Sequence, residues 1–369
     1  MSNTRVAKLA ALAAIGALSL AACSSTSASN GGNASADSAS GSSLACPSGS
    51  ITAEGSTAQA NAIQQIIASY GDACKNKAKI EYNGTGSGAG IKNFNAALVD
   101  FAGSDSALSA AEHTTAKARC QGNDALDLPM VVGPVAFSYN VKGVSKLTLN
   151  ADTIAQIFMG KITTWNDPAI AALNSGVTLP STKISVFYRS DDSGTTDNVS
   201  NYLHTAAPSS WTAAHSKTWK GQGGEGKNGS SGVAQAVTST DGGFGYLEWS
   251  YALDNKLGIA QIDTGSGPVA LTADSVGKAL EAAKITGTGN DLTMQLDYAT
   301  KAAGAYPAVL VTYEIVCSAG LDSAKTAIVK DFLTYFASAD GQKSLQDVGS
   351  APLPASLRDK VNTSIQAIK

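Results

Sequence analysis

The segment from Val186 to Leu203, VFYRSDDSGTTDNVSNYL, gathers a guanidinium, carboxylates, hydroxyls and a glycine in a single turn. The β-branched and aromatic residues before the turn predict a strand, and the spacing after it predicts a helix. Such a turn can hold a catalytic serine, a cradle for an oxyanion or an ordinary helix cap. For one turn taken alone the cap is the simplest interpretation, because Ser and Thr commonly cap the first turn of a helix.

Three other turns have the same character: EGSTAQA, NGTGSGAG and AGSDSA. Each follows a predicted strand and precedes or begins a helix. In a parallel α/β sheet all four turns would lie at the carboxyl ends of strands, where helix N-termini present free N–H groups and a positive dipole end. Hydroxyls and the planar guanidinium of Arg189 would supply further donors to a tetrahedral oxyanion. The convergence of four turns therefore favours one anion-binding site over four unrelated caps.

Catalytic and metal chemistry find little support in the sequence. No G-x-S-x-G pattern surrounds Ser87 or Ser193. The three histidines, His113, His204 and His215, stand in polar or helical contexts and are not spaced as metal ligands usually are. Without a neighbouring base, Ser193 has no route to activation. We therefore expect no catalytic residue, no metal and no cofactor.

The composition is that of a folded chain with room for two domains. Of 369 residues, 43% are hydrophobic and 15% are charged. The net charge of −3 creates no field that would gather a polyanion, which excludes nucleic acid as a partner. Strand, Gly-rich turn and helix alternate from Ile51 onward, which predicts a largely parallel sheet flanked by helices. Two long apolar strands, LDLPMVVGPVAFSYN and YPAVLVTYEIVC, bracket a middle block and predict two α/β lobes joined by crossing strands, with a cleft between them.

Residues 1–22 have the features of a secretory signal. Arg5 and Lys8 precede the apolar run LAALAAIGALSL, which is too short for a comfortable membrane span. The residues LAAC, ending at Cys23, match the lipobox of bacterial lipoproteins, in which the cysteine is acylated; the alternative is simple secretion. Residues 23–45 then combine the lipid-anchor cysteine with a Ser-rich, flexible tether. The sequence thus predicts an extracytoplasmic protein, lipid-anchored to the outer face of the cell membrane.

Four cysteines remain after Cys23, and in an exported protein an even number indicates disulfides. They are Cys46, Cys74, Cys120 and Cys317, and three pairings are possible. Cys46 precedes the first predicted strand and Cys74 follows the first predicted helix, so these two chain ends can meet. This favours pairing of Cys46 with Cys74 and of Cys120 with Cys317.

Several ordered segments are similar to those of one known family. RSDDSGTT fits the pattern R-x-D-x-S-G-T-[TS], and YNGTGSGAGI and FAGSDSAL resemble the family's Gly-Ser loop and G-[AGS]-S-D turn. LTLNADTIAQIFMGKITTWNDPAI and GVAQAVTSTDGGFGYLEWSYA match two of its later signatures. From Ile51 to the C-terminus the chain resembles PstS, the phosphate-binding lipoproteins of the phosphate ABC transporter, and GSTAQANA is closest to the actinobacterial branch.

The resemblance implies an α/β periplasmic-binding-protein fold of type II. Lobe 1 would comprise residues 46–135 plus 305–369 and lobe 2 residues 136–304. The protein would be a monomer that binds inorganic phosphate in the interlobe cleft with high affinity and delivers it to the transmembrane permease subunits of an ABC transporter. The implied phosphate ligands are Thr57, the backbone N–H of Ala58, Ser87, Asp105, Arg189, Ser193, the N–H of Gly194, and Thr195. Asp191 would support them by holding the guanidinium of Arg189.

The resemblance also gives the carboxylate of Asp105 a reason to face an anion. Phosphate near neutral pH still carries a proton that an ionised Asp105 can accept in a hydrogen bond, whereas sulfate would leave that buried acceptor unpaired. Asp192 is an additional acid that we expect to point to solvent, and residues 211–231 have no role that the sequence assigns. The alternatives are a binder of another tetrahedral oxyanion or of a small phosphoester and, less favoured, an extracellular phosphatase.

Overall fold

A computed structural model describes residues 44–369 of the chain. The predicted signal peptide, Cys23 and nearly all of the predicted tether lie outside the described residues. Among the described residues, no helix combines the length and apolar character needed to cross a bilayer.

Strands and helices alternate along most of the described chain. The strands are β1 (Gly49–Gly55), β2 (Ala78–Gly84), β3 (Phe101–Ser104), β4 (Ala125–Asn140), β5 (Thr148–Leu149), β6 (Ser185–Arg189), β7 (Glu225–Lys227), β8 (Gly243–Glu248), β9 (Gly258–Ile259), β10 (Gln261–Asp263), β11 (Pro268–Val269), β12 (Lys284–Ile285), β13 (Met294–Gln295) and β14 (Val309–Cys317). The α-helices are α1 (Ala60–Ala73), α2 (Ser87–Asn95), α3 (Ala110–Arg119), α4 (Ala151–Phe158), α5 (Pro168–Leu173), α6 (Gly194–Ala206), α7 (Gly229–Ser239), α8 (Trp249–Asp254), α9 (Ala273–Leu280), α10 (Ser323–Phe336), α11 (Ala339–Ser344) and α12 (Ala355–Gln366). A short 3₁₀ helix covers Leu345–Val348.

The main sheet has nine strands, eight of them in the order β2-β1-β3-β14-β4-β8-β6-β7, with β9 also paired to β4. The pairs of β1 with β2 and β3, and of β6 with β7 and β8, are parallel. The pairs made by β14 with β3 and β4, and by β4 with β8 and β9, are antiparallel. The expectation of a largely parallel sheet is therefore right for the two flanks and wrong for the centre. The centre is antiparallel because β4 and β14 run in opposite directions.

The long strands β4 and β14 join the two flanks into a two-lobed α/β fold. Along β4 the pairing partner changes: residues up to Pro134 pair with β14, and residues from Val135 pair with β8. Apart from Asn140, every residue of β4 is buried, as is every residue of β14. A strand covered on both faces reads as a continuous apolar run, which is why these two were visible in the sequence.

Two predicted element ends are wrong. In the sequence, Gly71 follows the amphipathic run TAQANAIQQIIASY and so predicts the end of the first helix, but α1 continues to Ala73. A side chain at Gly71 would lie 2.6 Å from Oδ1 of Asn76, so this glycine serves the tight turn that follows the helix. The aromatic run GFGYLEWSYA likewise predicts a strand over residues 243–252, but β8 ends at Glu248. The Glu248 carboxylate caps α8 by accepting the N–H of Ser250 at 2.9 Å.

The predicted disulfides are confirmed. Cys46 is bonded to Cys74, which fastens the segment before β1 to the end of α1. Cys120 is bonded to Cys317, which fastens the end of α3 to the end of β14. Both bonds lie in the part of the molecule built around β1, β3 and β14, and the second joins residues from distant parts of the chain.

Candidate anion-binding site

The four turns singled out in the sequence do converge in the structure. Ser56 and Thr57 follow β1, Ser87 begins α2 after β2, Asp105 follows β3, and residues 193–195 begin α6 after β6. These are carboxyl ends of parallel strands in the two flanks of the sheet, so the turns meet where the flanks face each other. Each of the predicted ligand side chains is buried, although the residues are hydroxyl-bearing or charged.

Asp105 is the best-connected of these residues. Its side chain accepts hydrogen bonds from the hydroxyls of Ser56 and of Thr312, the latter at 2.8 Å, both on Oδ1. Its Oδ2 accepts a hydrogen bond from Thr195 Oγ1 at 3.1 Å. Three hydroxyl donors therefore hold this carboxylate in one orientation, and Oδ2 keeps capacity for a further donor because each carboxylate oxygen has about two acceptor positions.

Burial sets the proton affinity of Asp105. Desolvation raises its pKa above the ordinary range of a carboxyl, although the three hydroxyl hydrogen bonds and the positive charge of Arg189 counteract part of that effect. A carboxylate held by donors in this way is an acceptor, and its raised pKa makes it readier than an exposed Asp to share a proton.

Arg189 is the positive group of the site and is only 2% exposed. Its Nε donates to Oδ1 of Asp191 at 2.7 Å, and its Nη2 is paired with Oδ2 of the same carboxylate. Burial alone would raise the pKa of Asp191, but the ion pair with Arg189 outweighs burial and lowers that pKa. The fork of Arg189 is thereby fixed, and its remaining nitrogen, Nη1, points at the hydroxyls of Thr195 and Ser230, 3.4 Å from each.

Hydroxyls bridge the two flanks of the site. Oγ1 of Thr57 lies 3.0 Å from Oγ of Ser230 and accepts the backbone N–H of Ser230 at 3.1 Å. Within the flank formed by β1, β2 and β3, the Ser87 hydroxyl accepts the N–H of Asp105 at 3.1 Å. A methyl group at Gly194 would lie 2.5 Å from the Ser87 hydroxyl oxygen and 2.7 Å from the Asp105 Cβ, so the absence of a side chain allows α6 to approach the Asp105 turn.

Two predicted ligands are engaged in local hydrogen bonds. The N–H of Ala58 donates to the Ser56 hydroxyl at 3.0 Å. The Ser193 hydroxyl accepts the N–H of Thr196 at 3.2 Å, as the N-cap of α6. The extra acid Asp192 is exposed, as expected, and accepts a hydrogen bond from Thr218 at 3.0 Å.

Four residues of the site were missed in the sequence: Ser56, Asn198, Ser230 and Thr312. Ser230 had a usable signal, because NGSSGVA is another Gly-Ser turn between a strand and a helix. Ser56 directly precedes Thr57, a predicted ligand, in the sequence. Asn198, whose Nδ2 donates to the backbone oxygens of Asp105 and Gly194 at 2.7 and 2.8 Å, sits inside α6 and had no such signal.

The segment 211–231, to which the sequence assigned no role, supports the site from behind. Trp211 is fully buried, and the ring of Trp219 stacks on those of Tyr188 and Tyr246 at 5.2 and 5.4 Å. The Tyr246 hydroxyl accepts the backbone N–H of Arg189 at 3.1 Å. This aromatic stack therefore fixes the end of β6 and, with it, the starting point of the arginine side chain.

Two further buried carboxyls add little charge to the site. Burial raises the pKa of Glu248 to about 8 and raises that of Glu314 well above the ordinary range, and the proximity of Asp105 contributes to both shifts. Both shifts favour the protonated, uncharged form of the carboxyl group. The charged groups that remain are the Arg189–Asp191 pair and Asp105, so the site offers a fixed guanidinium, several hydroxyls and one carboxylate acceptor. Such a set suits a tetrahedral oxyanion that still carries a proton.

Known proteins share both the sequence and the fold. Residues 34–340 match the model of the PBP superfamily domain. The chain is 45% identical over 322 residues to phosphate-binding protein PstS 3 of Mycobacterium leprae, covering 86% of each chain. It is 46% identical over 320 residues to phosphate-binding protein PstS 2 of Mycobacterium tuberculosis, covering 85% of this chain and 86% of that one.

Among solved structures, a Clostridium perfringens protein described as a phosphate ABC transporter substrate-binding protein with bound phosphate superimposes with a TM-score of 0.60. The match covers 83% of this chain and all of that one, at 18% identity. At this identity the likeness concerns the fold alone, and it agrees with a two-lobed periplasmic-binding-protein architecture.

Proposed function

Because this chain belongs to the PstS family of phosphate-binding proteins, within the PBP superfamily, we propose that it binds inorganic phosphate between its lobes and delivers it to the permease of a phosphate ABC transporter. The observation that carries the proposal is the opposition of Arg189 and Asp105 across one group of buried hydroxyls. The arginine supplies attraction for an anion. The carboxylate supplies an acceptor that only a protonated anion can satisfy.

The phosphate ligands would be those that the sequence pattern implies. Nη1 of Arg189 and the hydroxyls of Thr57, Ser87 and Thr195 would donate to phosphate oxygens, and Asp105 would accept the phosphate proton. On this proposal the Ser230 hydroxyl, 3.0 Å from Thr57 and 3.4 Å from Nη1 of Arg189, joins them. The N–H groups of Ala58 and Gly194 and the hydroxyl of Ser193 complete the implied set, with Asp191 holding the guanidinium.

Selectivity against sulfate follows from the buried acceptor. Sulfate is unprotonated near neutral pH, so its oxygens would face Oδ2 of Asp105 with no hydrogen between them. An unpaired, repelled acceptor in a buried site costs on the order of several kcal/mol, which is enough to exclude a competing anion. The site thus combines attraction for tetrahedral anions with a repulsive element against the wrong one.

The remaining features fit a tethered receptor outside the cytoplasmic membrane. A lipid on Cys23 and the tether to residue 45 would keep the folded part near a permease while the lobes, residues 46–135 plus 305–369 and residues 136–304, close on the ligand as a monomer. Closure would be a hinge motion at the two crossing strands. On this proposal the protein performs no catalysis, since Ser193 acts as a helix cap and none of the three histidines hydrogen-bonds it within residues 44–369.

The test is titration calorimetry of the protein, stripped of ligand, with phosphate and then with sulfate at neutral pH. We expect tight one-to-one binding of phosphate and no heat from sulfate. A small phosphoester such as glycerol phosphate serves as the third titrant. Comparable binding of sulfate or of the phosphoester would replace inorganic phosphate by a broader ligand class, and hydrolysis of a chromogenic phosphomonoester would overturn the assignment as a binding protein.

A further inference from the structure

A second group of polar side chains lies away from the anion site. His113 in α3, Asp127 in β4 and Asp291 in the loop between β12 and β13 each offer one ligand atom, and these three atoms all lie within 4.8 Å of one another. Nε2 of His113 is 3.3 Å from Oδ2 of Asp127. The three residues are far apart in sequence, which is why the spacing of the histidines gave no sign of them.

The carboxylate of Asp127 indicates that this group is incomplete. Its side chain is fully buried, and its Oδ1 accepts the N–H of Leu108 at 3.1 Å. Its Oδ2 has no hydrogen-bond partner among residues 44–369, and its nearest polar neighbour is Nε2 of His113 at 3.3 Å, an ion pair when that imidazole is protonated. Leaving a buried carboxylate oxygen without a hydrogen bond is costly, and a cation bound between Oδ2 and the neutral imidazole would satisfy both groups.

The third residue is held in place by the backbone around it. Oδ1 of Asp291 accepts the N–H of Asp127 at 2.9 Å, and Oδ2 of Asp291 accepts the hydroxyl of Thr293 at 3.2 Å. Both oxygens keep a free lone pair, since each carboxylate oxygen can take about two partners. The β12–β13 loop thus presents a positioned carboxylate to the His113–Asp127 pair.

One imidazole and two carboxylates form a donor set for a divalent cation. Zinc binds imidazole nitrogen and carboxylate oxygen at about 2.0–2.2 Å in tetrahedral geometry, which places neighbouring ligand atoms about 3.4 Å apart. The His113–Asp127 separation of 3.3 Å matches that distance. An imidazole ligand favours first-row transition metals over Mg²⁺ and Ca²⁺, and two carboxylates neutralise a 2+ charge.

We propose that His113, Asp127 and Asp291 form a binding site for a divalent first-row transition-metal ion, with Zn²⁺ the best match and a water molecule as the fourth ligand. The ion would join α3, β4 and the β12–β13 loop. It would also steady the segment after β3, because Asp127 holds the N–H of Leu108 only three residues beyond Asp105. The site is separate from the proposed phosphate site, and its test does not depend on phosphate binding.

A second His–Asp pair in the same molecule provides the comparison. Nδ1 of His215 lies 2.7 Å from Oδ1 of Asp197, and Oδ2 of Asp197 accepts the Ser106 hydroxyl at 2.7 Å. Both oxygens of that carboxylate have partners, so the pair needs no ion. His215 therefore serves as the matched control for His113.

The experiment is titration of the metal-free purified protein with Zn²⁺ and with Co²⁺ in a buffer that contains no phosphate. We expect one high-affinity ion per protein and visible Co²⁺ absorption bands of a tetrahedral site. His113→Ala and Asp291→Asn should each weaken binding by at least tenfold, and His215→Ala should leave it unchanged. Circular dichroism establishes that each variant is folded, and Asp291→Asn, at a loop position, keeps the test valid if His113→Ala is not.

Three results would overturn the proposal. They are the absence of a one-to-one complex with the unmodified protein, binding that survives both substitutions, and an equal loss in His215→Ala. Since phosphate affinity is measured separately, failure of the metal site leaves the proposed transport function untouched.

Discussion

The two sides of the anion site are built for different tasks. The turns after β1, β2 and β3 contribute hydroxyls and the carboxylate of Asp105, and none of them carries a cation. The turns after β6 and β7 contribute Arg189 with Asp191, and the hydroxyls of Thr195 and Ser230. One side therefore attracts an anion, and the other side selects among anions.

The two aspartates illustrate this division of labour. Both are largely buried, yet the pKa of Asp191 is lowered because its ion pair with Arg189 outweighs burial, whereas the pKa of Asp105 is raised because burial dominates over its neutral hydroxyl partners. A carboxylate beside a guanidinium is a structural counter-charge. A carboxylate held by hydroxyls can still accept a hydrogen bond from a protonated ligand, and it repels an anion that carries no proton.

The largest effect should come from removing the attraction. Arg189→Ala removes charge-assisted hydrogen bonds and leaves Asp191 buried without a partner, so phosphate affinity should fall at least about a hundredfold. Titration calorimetry measures the dissociation constant for phosphate. Lys227, which pairs with Arg189 in register across β6 and β7, is the matched control, and Lys227→Ala should bind normally. An unchanged dissociation constant for Arg189→Ala would remove this residue from the site.

The next effect concerns selection. Asp105→Asn replaces the acceptor at Oδ2 by an amide that can donate, so sulfate is no longer repelled and the preference for phosphate over sulfate should drop by about thirtyfold. Asp192→Asn, at an exposed acid of the same site region, should keep the full preference. Competition titrations measure the ratio, and a mutant that still rejects sulfate as well as the unmodified protein would contradict the proposed role.

A smaller effect should follow from separating the two sides. Gly194→Ala places a methyl group 2.5 Å from the Ser87 hydroxyl oxygen and 2.9 Å from the backbone nitrogen of Asp105. The two sides must then move apart, and overpacking of this kind costs about 1–3 kcal/mol, or roughly tenfold in phosphate affinity. Gly277→Ala, in α9, where a side chain would meet nothing within 4 Å, is the control. Equal affinity of the two variants would show that the sides need no such close contact.

The smallest expected effect is a change with pH. Because the pKa of Asp105 is raised, protonation begins at a higher pH than for an exposed Asp. As pH falls through that raised pKa, Asp105 gains a hydrogen that it can donate to sulfate. Sulfate should therefore compete several-fold better at acidic pH than at neutral pH. Asp105→Asn should show no such trend, and a selectivity ratio that is constant with pH would contradict this explanation.

Local patterns carried most of what the sequence predicts about the site. Gly, Ser and Asp after a β-branched run mark a turn between strand and helix, and four such turns meet at one sheet edge because parallel strands end there. Thr312 shows the limit. It lies within the buried strand β14, and only the pairing of that strand beside β3 brings its hydroxyl to Asp105.

Contacts between distant parts of the chain also explain why the sequence predicted a largely parallel sheet and assigned no role to residues 211–231. The centre of the sheet is antiparallel because β4 and β14 pair in opposite directions. These strands are far apart in the sequence, so no short segment predicts their relative direction. The sequence assigned no role to the Gly-rich segment that carries Trp219, yet the ring of Trp219 packs against those of Tyr188 and Phe158. Non-local packing decides both outcomes.

The two disulfides differ in when the chain can close them. In a chain that crosses a membrane amino end first, Cys74 follows Cys46 by 28 residues, so that bond can form early. Cys120 must wait for Cys317, 197 residues later, and β14, which separates β3 from β4, arrives with it. A Cys46–Cys74 bond formed before Cys317 emerges would keep both of those thiols from Cys120, so the order of emergence favours the native pairing.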